Sequence, residues 1–293
     1  MLTDGDVTAI IVHFGDARPT VERAHEWSRL VGSVFIVAND LSEAPDDLGP
    51  DIIWLLPTRN LGFAGGFMFA ASSVQTPIIV ALNTDVQVDS NCLSHCLIEF
   101  DDPRVGIVGP TLCTPLGELL SGAGGLSNLL RRPTYLNAVC GPSCDADWVT
   151  GAVMFIRREV LSDIPFDCSY FLLFEDVDFC ISARQIGWRV RCVAATAIHD
   201  QSSAGHSLTG SRTTYYQSRN RAWFVRRHFP NRLIISYASM AMSGVRLFAS
   251  DTVKARNYNR TRLYIRGLVH SFTIPEIGRP LEGEPLGRID GAW

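Results

Sequence analysis

Three carboxylates lie within four residues near the middle of the chain and could perform acid–base chemistry. Glu175, Asp176 and Asp178 stand between the apolar run 171–174 and a segment with helical spacing. A carboxylate in apolar surroundings has its pKa raised and can accept a proton from a hydroxyl group. Acidic residues at a helix start also favour the helix dipole and cap the first turn. The cluster alone therefore fits either a general base or a helix start.

A second group of polar residues could hold a divalent cation. Asn83, Thr84 and Asp85 directly follow the apolar run 78–82, and His199 follows another strand-like run. One carboxylate can hold Mg²⁺ or Mn²⁺ when a substrate's phosphates supply most other ligands, and imidazole is acceptable among oxygen donors. A strand-end Asp is more often a turn or cap residue, and a lone His is usually not a ligand. A metal site is predicted if the fold brings Asp85 and His199 together.

Glycines between a strand and a helix could bring the backbone close to a ligand. The segment 60–66 contains Asn60, Gly65 and Gly66, and its helix N-terminus would offer free N–H groups to negative charge. Its spacing differs from the dinucleotide fingerprint, and it lacks the Lys-Ser/Thr of a phosphate-binding loop. A tight strand-to-helix turn is the structural alternative.

Short β-branched runs separated by helical segments must position these residues. Such runs begin at Val7, Val34, Ile52, Ile78, Val105, Ala152 and Val193. This pattern predicts βαβ units of a buried parallel sheet, with helical segments at 19–30 and after residue 65. Ligands bind beyond the carboxyl ends of strands in such sheets, which makes His13, Asn39 and Asp40 further candidates.

Composition excludes a disordered or fibrous chain, because 46% of the 293 residues are hydrophobic and 19% are charged. The formal net charge of −4 conceals an asymmetry: residues 212–268 hold twelve Arg and Lys but one acid, Asp251. The asymmetry suggests an anionic partner for this helical region. Arginines that merely solvate a helix face are the alternative. The tail after Thr273 is rich in Pro and Gly.

The chain shows no secretory signal, since it opens MLTDGDV, and a cytoplasmic location is expected. The apolar segment 233–245 is shorter than the about 20 residues of a membrane span, so no transmembrane helix is predicted. Eight cysteines are too sparse for a disulfide scaffold. The pairs Cys92 with Cys96 and Cys140 with Cys144 do not match a zinc finger or ribbon and are interpreted as ordinary thiols.

In this order the elements resemble the glycosyltransferases of family two, inverting nucleotide-sugar enzymes with a GT-A fold, and in particular their bacterial rhamnosyltransferase-like branch. The resemblance covers about residues 7 to 230. It rests on AsnLeuGlyPheAlaGlyGly at 60, AsnThrAsp at 83, TrpValThrGlyAla at 148, PheGluAspValAspPheCysIleSerAlaArg at 174, His199, and TyrTyrGlnSerArgAsnArg at 215.

The resemblance implies an α/β fold with a Rossmann-like, mostly parallel central sheet flanked by helices. A catalytic domain is expected over 1–211, with a nucleotide-sugar half at about 1–105 and an acceptor half at about 106–211. A basic helical region is expected over 212–272, followed by the tail 273–293.

The resemblance also implies roles for individual residues. Asp176 matches the catalytic base and Glu175 the neighbouring acid that contacts the acceptor. Asp85 and His199 match the ligands of Mg²⁺ or Mn²⁺. The residues matched to the nucleotide-sugar side are His13, Asn39, Asp40, Asn60, Gly65, Gly66 and Asn83. The residues matched to the acceptor side are Trp148, Gly151 and Ala152.

One departure concerns the nucleotide base. The family often reads ValAspAsn after its second strand, whereas residues 37–40 here read ValAlaAsnAsp, so base recognition is expected to shift to Asn39 or Asp40. Arg219 and Arg212, at the start of the basic region, are expected near the donor's diphosphate.

The expected reaction moves a sugar, such as rhamnose or another deoxysugar, from a dTDP- or UDP-sugar to an acceptor hydroxyl with inversion. The acceptor is a glycan, a lipid-linked glycan or, alternatively, a small natural product. A nucleotidyltransferase is disfavoured because its GlyXaaGlyXaaArg loop is missing. An inactive nucleotide-sugar-binding relative is disfavoured because Asp85, Asp176 and His199 are present. No nucleic-acid partner is expected, and the outer arginines would meet a membrane surface at its inner face or a second subunit.

Overall fold

A computed structural model describes residues 2–46, 48–135, 139, 141–200, 211–254 and 258–273. Its strands are β1 Val7–His13, β2 Ser33–Ala38, β3 Ile52–Leu55, β4 Ile78–Leu82, β5 Val86–Gln87, β6 Val105–Cys113, β7 Leu119–Ser121, β8 Gly124–Leu126, β9 Pro133–Tyr135, β10 Ser143–Asp145, β11 Val153–Arg157 and β12 Arg189–His199. Its α-helices are α1 Ala17–Ser28, α2 Gly62–Ala71, α3 Ser90–Ile98, α4 Arg158–Asp163, α5 Glu175–Gln185, α6 Ser211–His228, α7 Leu233–Lys254 and α8 Asn259–Thr273.

A single large sheet forms the centre, with strand order β10-β12-β6-β11-β4-β1-β2-β3. Strands β4, β1, β2 and β3 pair in parallel, and so do β6 and β12. The strand β11 runs antiparallel between β4 and β6 and joins the two parallel groups. The predicted mixed α/β fold with a mostly parallel sheet is confirmed. The antiparallel strand at its centre was not apparent from residue pattern, because a buried strand is apolar in either direction.

Helices cover both faces of the sheet. Side chains of β4 alternate, with Val80 packing among residues of α1 and α3 and Ile79 among residues of α2 and α5. Since successive residues of a strand point to opposite faces, one short run contributes to two cores. Cys92 and Cys96 lie buried on the inner side of α3, as small thiols, whereas Cys140 lies outside the described residues.

The basic C-terminal region forms three helices, as its residue pattern indicated. Phe224 and Val225 of α6 belong to the core on one face of the sheet, so this helix is part of the packed body. The side chains of Arg212 and Lys254, the residue Arg256, and the tail 274–293 lie outside the described residues.

The expectation of no membrane-length helix is not met. The helical stretch Pro230–Thr252 has 23 residues with a mean hydropathy of 1.3, and by length and composition it could cross a bilayer. The serines, Gly244 and Arg246 do not interrupt the helix, so it continues well past the apolar segment 233–245. Only 11% of its apolar window is buried in the protein.

Candidate functional site

Strands β1, β2 and β4 end at one edge of the sheet, and predicted polar residues lie at these ends. His13 ends β1 and lies in register with Ala38 of β2, while Leu82 of β4 lies in register with Ile11. Because β11 is antiparallel to β4, its first residue, Val153, pairs with Leu82. The segment that precedes β11 therefore lies beside the segment that follows β4.

Asp85 and His199 are in contact, as the metal prediction requires. The Nε2 atom of His199 lies 3.1 Å from Oδ2 of Asp85, and both side chains are largely buried. The antiparallel pairing of β5 with the end of β12 places His199 opposite Val86 and thereby next to Asp85.

The pair offers donors that fit a divalent cation. The Oδ1 atom of Asp85 is buried without a hydrogen-bond partner among the described residues, which is costly unless a further cation or donor binds it. No third His, Cys, Asp or Glu of the described chain joins the pair. A cation there would need its other ligands from phosphate and water, which is how Mg²⁺ is commonly held.

Arg23 of α1 fixes the segment that carries Asp85 and was not singled out from the sequence. Its Nε atom donates to the carbonyl oxygen of Thr84 at 3.1 Å, and its Nη1 atom is paired with Glu26. The helix α1 packs over β1 and β2, so this contact spans from one helix to the end of β4. No sequence pattern distinguishes Arg23 from an ordinary helix arginine.

Asp176 lies at the start of α5 and accepts two backbone hydrogen bonds. The N–H of Gly151 donates to Oδ2 at 2.9 Å, and the N–H of Val177 donates to Oδ1 at 2.8 Å. The carbonyl oxygen of the next residue, Ala152, accepts from the N–H of Asn83 at 2.8 Å. Residues 151 and 152 therefore connect the carboxylate of Asp176 directly to the end of β4.

Burial raises the pKa of Asp176, and the two backbone N–H groups offset part of that rise. Burial and the neighbouring charge of Asp176 raise the pKa of Glu175 to about 8. The Oε2 atom of Glu175 is buried without a partner in the described part of the chain, which agrees with a neutral carboxyl group. The pKa values of both adjacent acids are therefore raised, and backbone N–H groups stabilise the charged form of Asp176.

Asp178, the third carboxylate of the cluster, has a structural role. Its Oδ1 atom accepts from Tyr170 at 2.8 Å and lies 2.7 Å from His228 Nε2, and its Oδ2 atom is 3.1 Å from Arg227. These contacts tie α5 to α6. The three carboxylates therefore differ in their surroundings. Asp176 is the base candidate, Glu175 is its buried neighbour of raised pKa, and Asp178 is in a buried ion pair.

The loop before Asp176 has an unusual backbone. Phe171, Leu173 and Phe174 have φ values of 59°, 70° and 74°, a region that side chains other than Gly rarely adopt. Each such residue costs of order 1–3 kcal/mol and persists only when its surroundings hold it. These residues directly precede the carboxylates, so the strain lies beside the reacting group.

Two residues of α6 hold that loop in place. The side-chain amide of Asn220 lies 2.7–2.9 Å from the carbonyl oxygens of Tyr170, Leu172 and Leu173. Arg219 donates from Nη2 to the carbonyl oxygen of Tyr170 at 3.0 Å. In the sequence, this ArgAsn pair is distinguished only as part of the motif TyrTyrGlnSerArgAsnArg at 215.

Arg219, which was predicted to lie near the diphosphate, is enclosed by the protein in this structure. Its side chain is 0% exposed, and its guanidinium lies 4.3 Å from the ring of Trp223 and 4.8 Å from that of Tyr216. The aromatic rings and the loop carbonyl oxygens stabilise the Arg219 charge, so this side chain contributes to the fold.

The residues of the glycine segment 60–66 contact neighbouring parts of the protein in this structure. The Oδ1 atom of Asn60 accepts from the N–H of Gly62, the first residue of α2, at 2.9 Å. Gly66 is buried, and a Cβ there would lie 3.0 Å from Val12 and 3.2 Å from the amide of Asn39. A Cβ on Gly65 would lie 3.0 Å from Leu61. Close packing accounts for both glycines, and a backbone approach to the nucleotide stays a prediction.

Gly62 was not predicted as important, yet it allows the closest approach in this region. Its φ is +71°, and a Cβ there would lie 2.3 Å from the carbonyl oxygen of Phe171. That oxygen accepts from the N–H of Phe63 at 2.7 Å. The start of α2 therefore docks on the strained loop, close to Asp176.

Of the two residues expected to recognise the nucleotide base, Asn39 has its side-chain amide hydrogen-bonded within the protein. Its Nδ2 atom donates to the carbonyl oxygen of Gly62, and its Oδ1 atom accepts from Leu61 N–H. Asp40 is partly exposed and accepts from the N–H groups of Gly15 and Ser42. Asp40 is therefore the better placed of the two for a ligand.

His13 lies beneath this segment. Its Nδ1 atom is 2.7 Å from the Thr20 hydroxyl, and its Nε2 atom is 3.4 Å from Asp40. Burial lowers its pKa, so the ring is neutral at pH 7. The ring is 1% exposed and supports Asp40 from below.

The residues predicted to contact the acceptor are buried beneath the protein surface. Trp148, Gly151 and Ala152 are all buried, and the indole N–H of Trp148 donates to the carbonyl oxygen of Gly125 at 3.1 Å. The exposed ring on this side is Tyr135 of β9, whose centroid is 4.8 Å from that of Trp148. Burial of its hydroxyl, followed by the charge of Asp176, raises the pKa of Tyr135 to about 12.

Replacing Glu175 with Gln is expected to remove a pH dependence of stability. The folded protein binds the Glu175 proton more tightly than the unfolded chain, whose Glu pKa is near 4.5. The free energy of unfolding should therefore be largest below about pH 4.5 and decrease as pH rises towards about 8. Thermal unfolding from pH 5.5 to 8.5 should show a smaller decline for Glu175→Gln than for wild type. Parallel curves for the two proteins would contradict a protonated Glu175.

The fold is similar to those of solved glycosyltransferases at low sequence identity. A mannosyltransferase from Pyrobaculum calidifontis, solved with GDP-Man and Mn²⁺, aligns at 14% identity and a TM-score of 0.55 over 92% of this chain and 88% of its own. TarS (residues 1–349) of S. aureus aligns at 10% identity and a TM-score of 0.55 over 90% of this chain and 80% of its own.

GalNAc-T7, solved with UDP, GalNAc and Mn²⁺, aligns at 10% identity and a TM-score of 0.55. The alignment covers 66% of this chain but 43% of GalNAc-T7, so the chain spans less than half of that protein.

A search of curated proteins found no match. The sequence model described as "Glycosyl transferase family group 2" matches residues 78–265, which include β4, Asp85, the carboxylate cluster, His199 and most of the three C-terminal helices. This match extends over more than half of the chain, and the protein therefore belongs to glycosyl transferase family group 2.

Proposed function

We propose that this protein is an inverting glycosyltransferase that uses a nucleotide-sugar donor and Asp176 as its general base. The observation that carries the proposal is the hydrogen-bonded connection from Asn83 through Ala152 and Gly151 to Asp176. This connection supports the proposal because it joins Asp176, a partly buried carboxylate of raised pKa, to the strand end, and α/β sheets bind nucleotides beyond their strand ends.

In the proposed reaction, Asp176 accepts the proton of an acceptor hydroxyl while that oxygen forms a bond to the anomeric carbon. The bond from the anomeric carbon to the nucleoside diphosphate breaks on the opposite side, so the configuration inverts. The N–H groups of Gly151 and Val177 fix the carboxylate, and the neutral Glu175 adds no second negative charge. Positioning of this kind supplies much of the rate in group transfer.

Asp85 and His199 are proposed to hold Mg²⁺ or Mn²⁺. A divalent cation would supply positive charge to the diphosphate as it leaves. The orphaned Oδ1 atom of Asp85 supports this role, and two of the similar solved proteins contain Mn²⁺.

The donor is proposed to be a dTDP- or UDP-sugar, with rhamnose or another deoxysugar, as the rhamnosyltransferase-like motifs imply. One similar solved protein binds UDP and another GDP-Man, so base recognition is best tested directly. The acceptor is proposed to be a glycan or lipid-linked glycan that lies against Tyr135. A small natural product is the alternative acceptor. The alternative of an inactive relative predicts binding of a nucleotide sugar without turnover.

Nucleotide-sugar donors are expected to raise the unfolding temperature of the protein in the presence of Mn²⁺ or Mg²⁺. A ligand that binds only the folded state stabilises it by RT ln(1 + [L]/Kd), about 2.7 kcal/mol at a hundred times Kd. Differential scanning fluorimetry against uridine, thymidine and guanosine diphosphate sugars would identify the base.

The variants Asp85→Asn and His199→Ala are expected to lose the metal-dependent part of this shift. Ser90→Ala, on the exposed start of α3, is a control that should keep it. Absence of a shift with every donor and metal would overturn the proposed function. A shift of equal size without metal would overturn only the metal role.

A further inference from the structure

The helix α7 exposes an apolar stripe along its whole length. Ile234, Met242, Val245 and Phe248 are exposed, with Ile234 at 90% and Val245 at 63%. With the exposed alanines 238, 241 and 249 they recur at intervals of three and four residues, which is the spacing of one helix face. Monomeric soluble proteins rarely expose a contiguous apolar surface of this extent without a partner.

The helix α8 extends this surface. Ile265, Val269 and Phe272 are exposed at the same spacing, with Phe272 at 64%. Two aromatic pairs join the helices at opposite ends: Tyr237 with Phe272 at 4.7 Å between centroids, and Phe248 with Tyr258 at 5.4 Å. Since exposed rings form the seam, the two stripes make one surface, here named the outer apolar face.

The helices α7 and α8 form a hairpin, and the side opposite the outer apolar face is bound to the rest of the protein. Ser236 donates to the carbonyl oxygen of Leu130 at 3.4 Å, and Ser218 of α6 donates to the carbonyl oxygen of Tyr264 at 2.9 Å. Crossing a bilayer would break these contacts. A helix with one bound side and one apolar side is instead suited to lie along an interface.

The charges beside the outer apolar face are positive. Arg246, Arg260 and Arg262 are exposed on α7 and α8. Asp251, the one acid between residues 212 and 268, is buried and accepts from the N–H and hydroxyl of Thr261, so it does not offset them at the surface. A second copy of this face would bring like charges together, whereas an anionic surface would neutralise them.

We propose that the outer apolar face and its arginines dock the protein on a membrane surface that contains anionic lipids, with α7 and α8 lying in the plane of the interface. The apolar side chains enter the boundary between headgroups and acyl chains, and the arginines reach the headgroup phosphates. Docking of this kind is independent of sugar transfer, and its test does not rely on the proposed function.

Flotation of the full chain with vesicles tests the proposal. We expect binding to phosphatidylcholine vesicles that contain phosphatidylglycerol, weaker binding to phosphatidylcholine alone, and release by high salt or carbonate. The double variant Val245→Gln/Phe272→Gln should reduce the partition coefficient by roughly tenfold or more for each residue. Arg260→Gln/Arg262→Gln should weaken binding to the anionic vesicles alone and flatten its salt dependence.

The matched control replaces apolar residues that are equally exposed elsewhere. Leu116 and Ile98 are 88% and 60% exposed, outside the C-terminal helices, and Leu116→Gln/Ile98→Gln should bind vesicles like wild type. Equal unfolding temperatures of all variants would exclude misfolding as the cause.

Three outcomes would overturn the proposal. The first is no binding to anionic vesicles at low salt, or the same loss in the Leu116→Gln/Ile98→Gln control. The second is a lipid-free dimer that Val245→Gln/Phe272→Gln converts to a monomer, which would make a second copy the occupant. The third is retention in vesicles after a carbonate wash, which would indicate a spanning helix.

Discussion

Replacing Asp176 with Asn is expected to lower turnover by about 10²- to 10⁴-fold, which is the usual contribution of general-base catalysis. Asn has nearly the same shape and can still accept a backbone hydrogen bond from Gly151 or Val177, but it cannot take the proton of the acceptor hydroxyl. Donor-induced thermal shifts should stay close to wild type, because binding of the nucleotide does not require the base. Steady-state kinetics with a transferable donor measures the effect.

The pH profile of the wild type provides a second readout of the same group. Asp176 must be deprotonated to act, so turnover should fall as pH decreases through its raised pKa. Asp51→Asn removes an exposed carboxylate before β3 and should leave both turnover and profile unchanged. Near-normal turnover of Asp176→Asn would show that another group is the base.

Replacing Asn220 with Ala is expected to destabilise the protein by on the order of 2–4 kcal/mol and to lower turnover as well. The carbonyl oxygens of Leu172 and Leu173 would lose the donor that the structure shows for them, and an unsatisfied buried group costs about 1–3 kcal/mol. The left-handed residues 171, 173 and 174 would be free to relax, which would move Asp176. A small displacement of a reacting group can cost up to about a hundredfold in rate.

Thermal unfolding and kinetics well below the unfolding temperature separate the two effects of Asn220→Ala. A decrease in kcat with an unchanged KM for the donor is expected if the loop positions Asp176. Gln217→Ala, on the exposed side of the same helix, controls for loss of a polar side chain from α6. If Asn220→Ala unfolded like Gln217→Ala, the loop would not depend on this amide.

The runs of β-branched residues sufficed to predict most of the parallel strands. Val7, Val34, Ile52 and Ile78 each lie at or within one residue of a strand start, because short apolar runs in a doubly covered sheet have few other stable conformations. Strand direction at β11 could not be read in this way, since both directions bury the same side chains. Direction there is set by pairing with β4 and β6.

Residue type indicated which side chains meet at the sheet edge better than it indicated their contacts. Asp85 and His199 lie together, and Asp176 is connected to the end of β4, as the predicted edge of the sheet requires. Asn39, Gly66 and Arg219 belong to the internal support of the site, because residue type reveals hydrogen-bonding capacity but not the direction of a side chain. Tyr135 and Arg23 carry no signal in a single sequence and depend on packing between distant elements.

The sequence by itself determined the α/β class, the strand ends that carry polar residues and the acidic and basic division of the chain, since periodicity and composition are local properties. The tertiary structure decided which of three adjacent carboxylates accepts from backbone N–H groups, which is buried with a raised pKa and which is paired with Arg227. It also decided that the apolar residues of α7 face outward, because the interior positions beside them are filled by α6 and α8. Burial and side-chain contacts depend on the whole folded chain, and they determine the pKa and the hydrogen bonds of each residue.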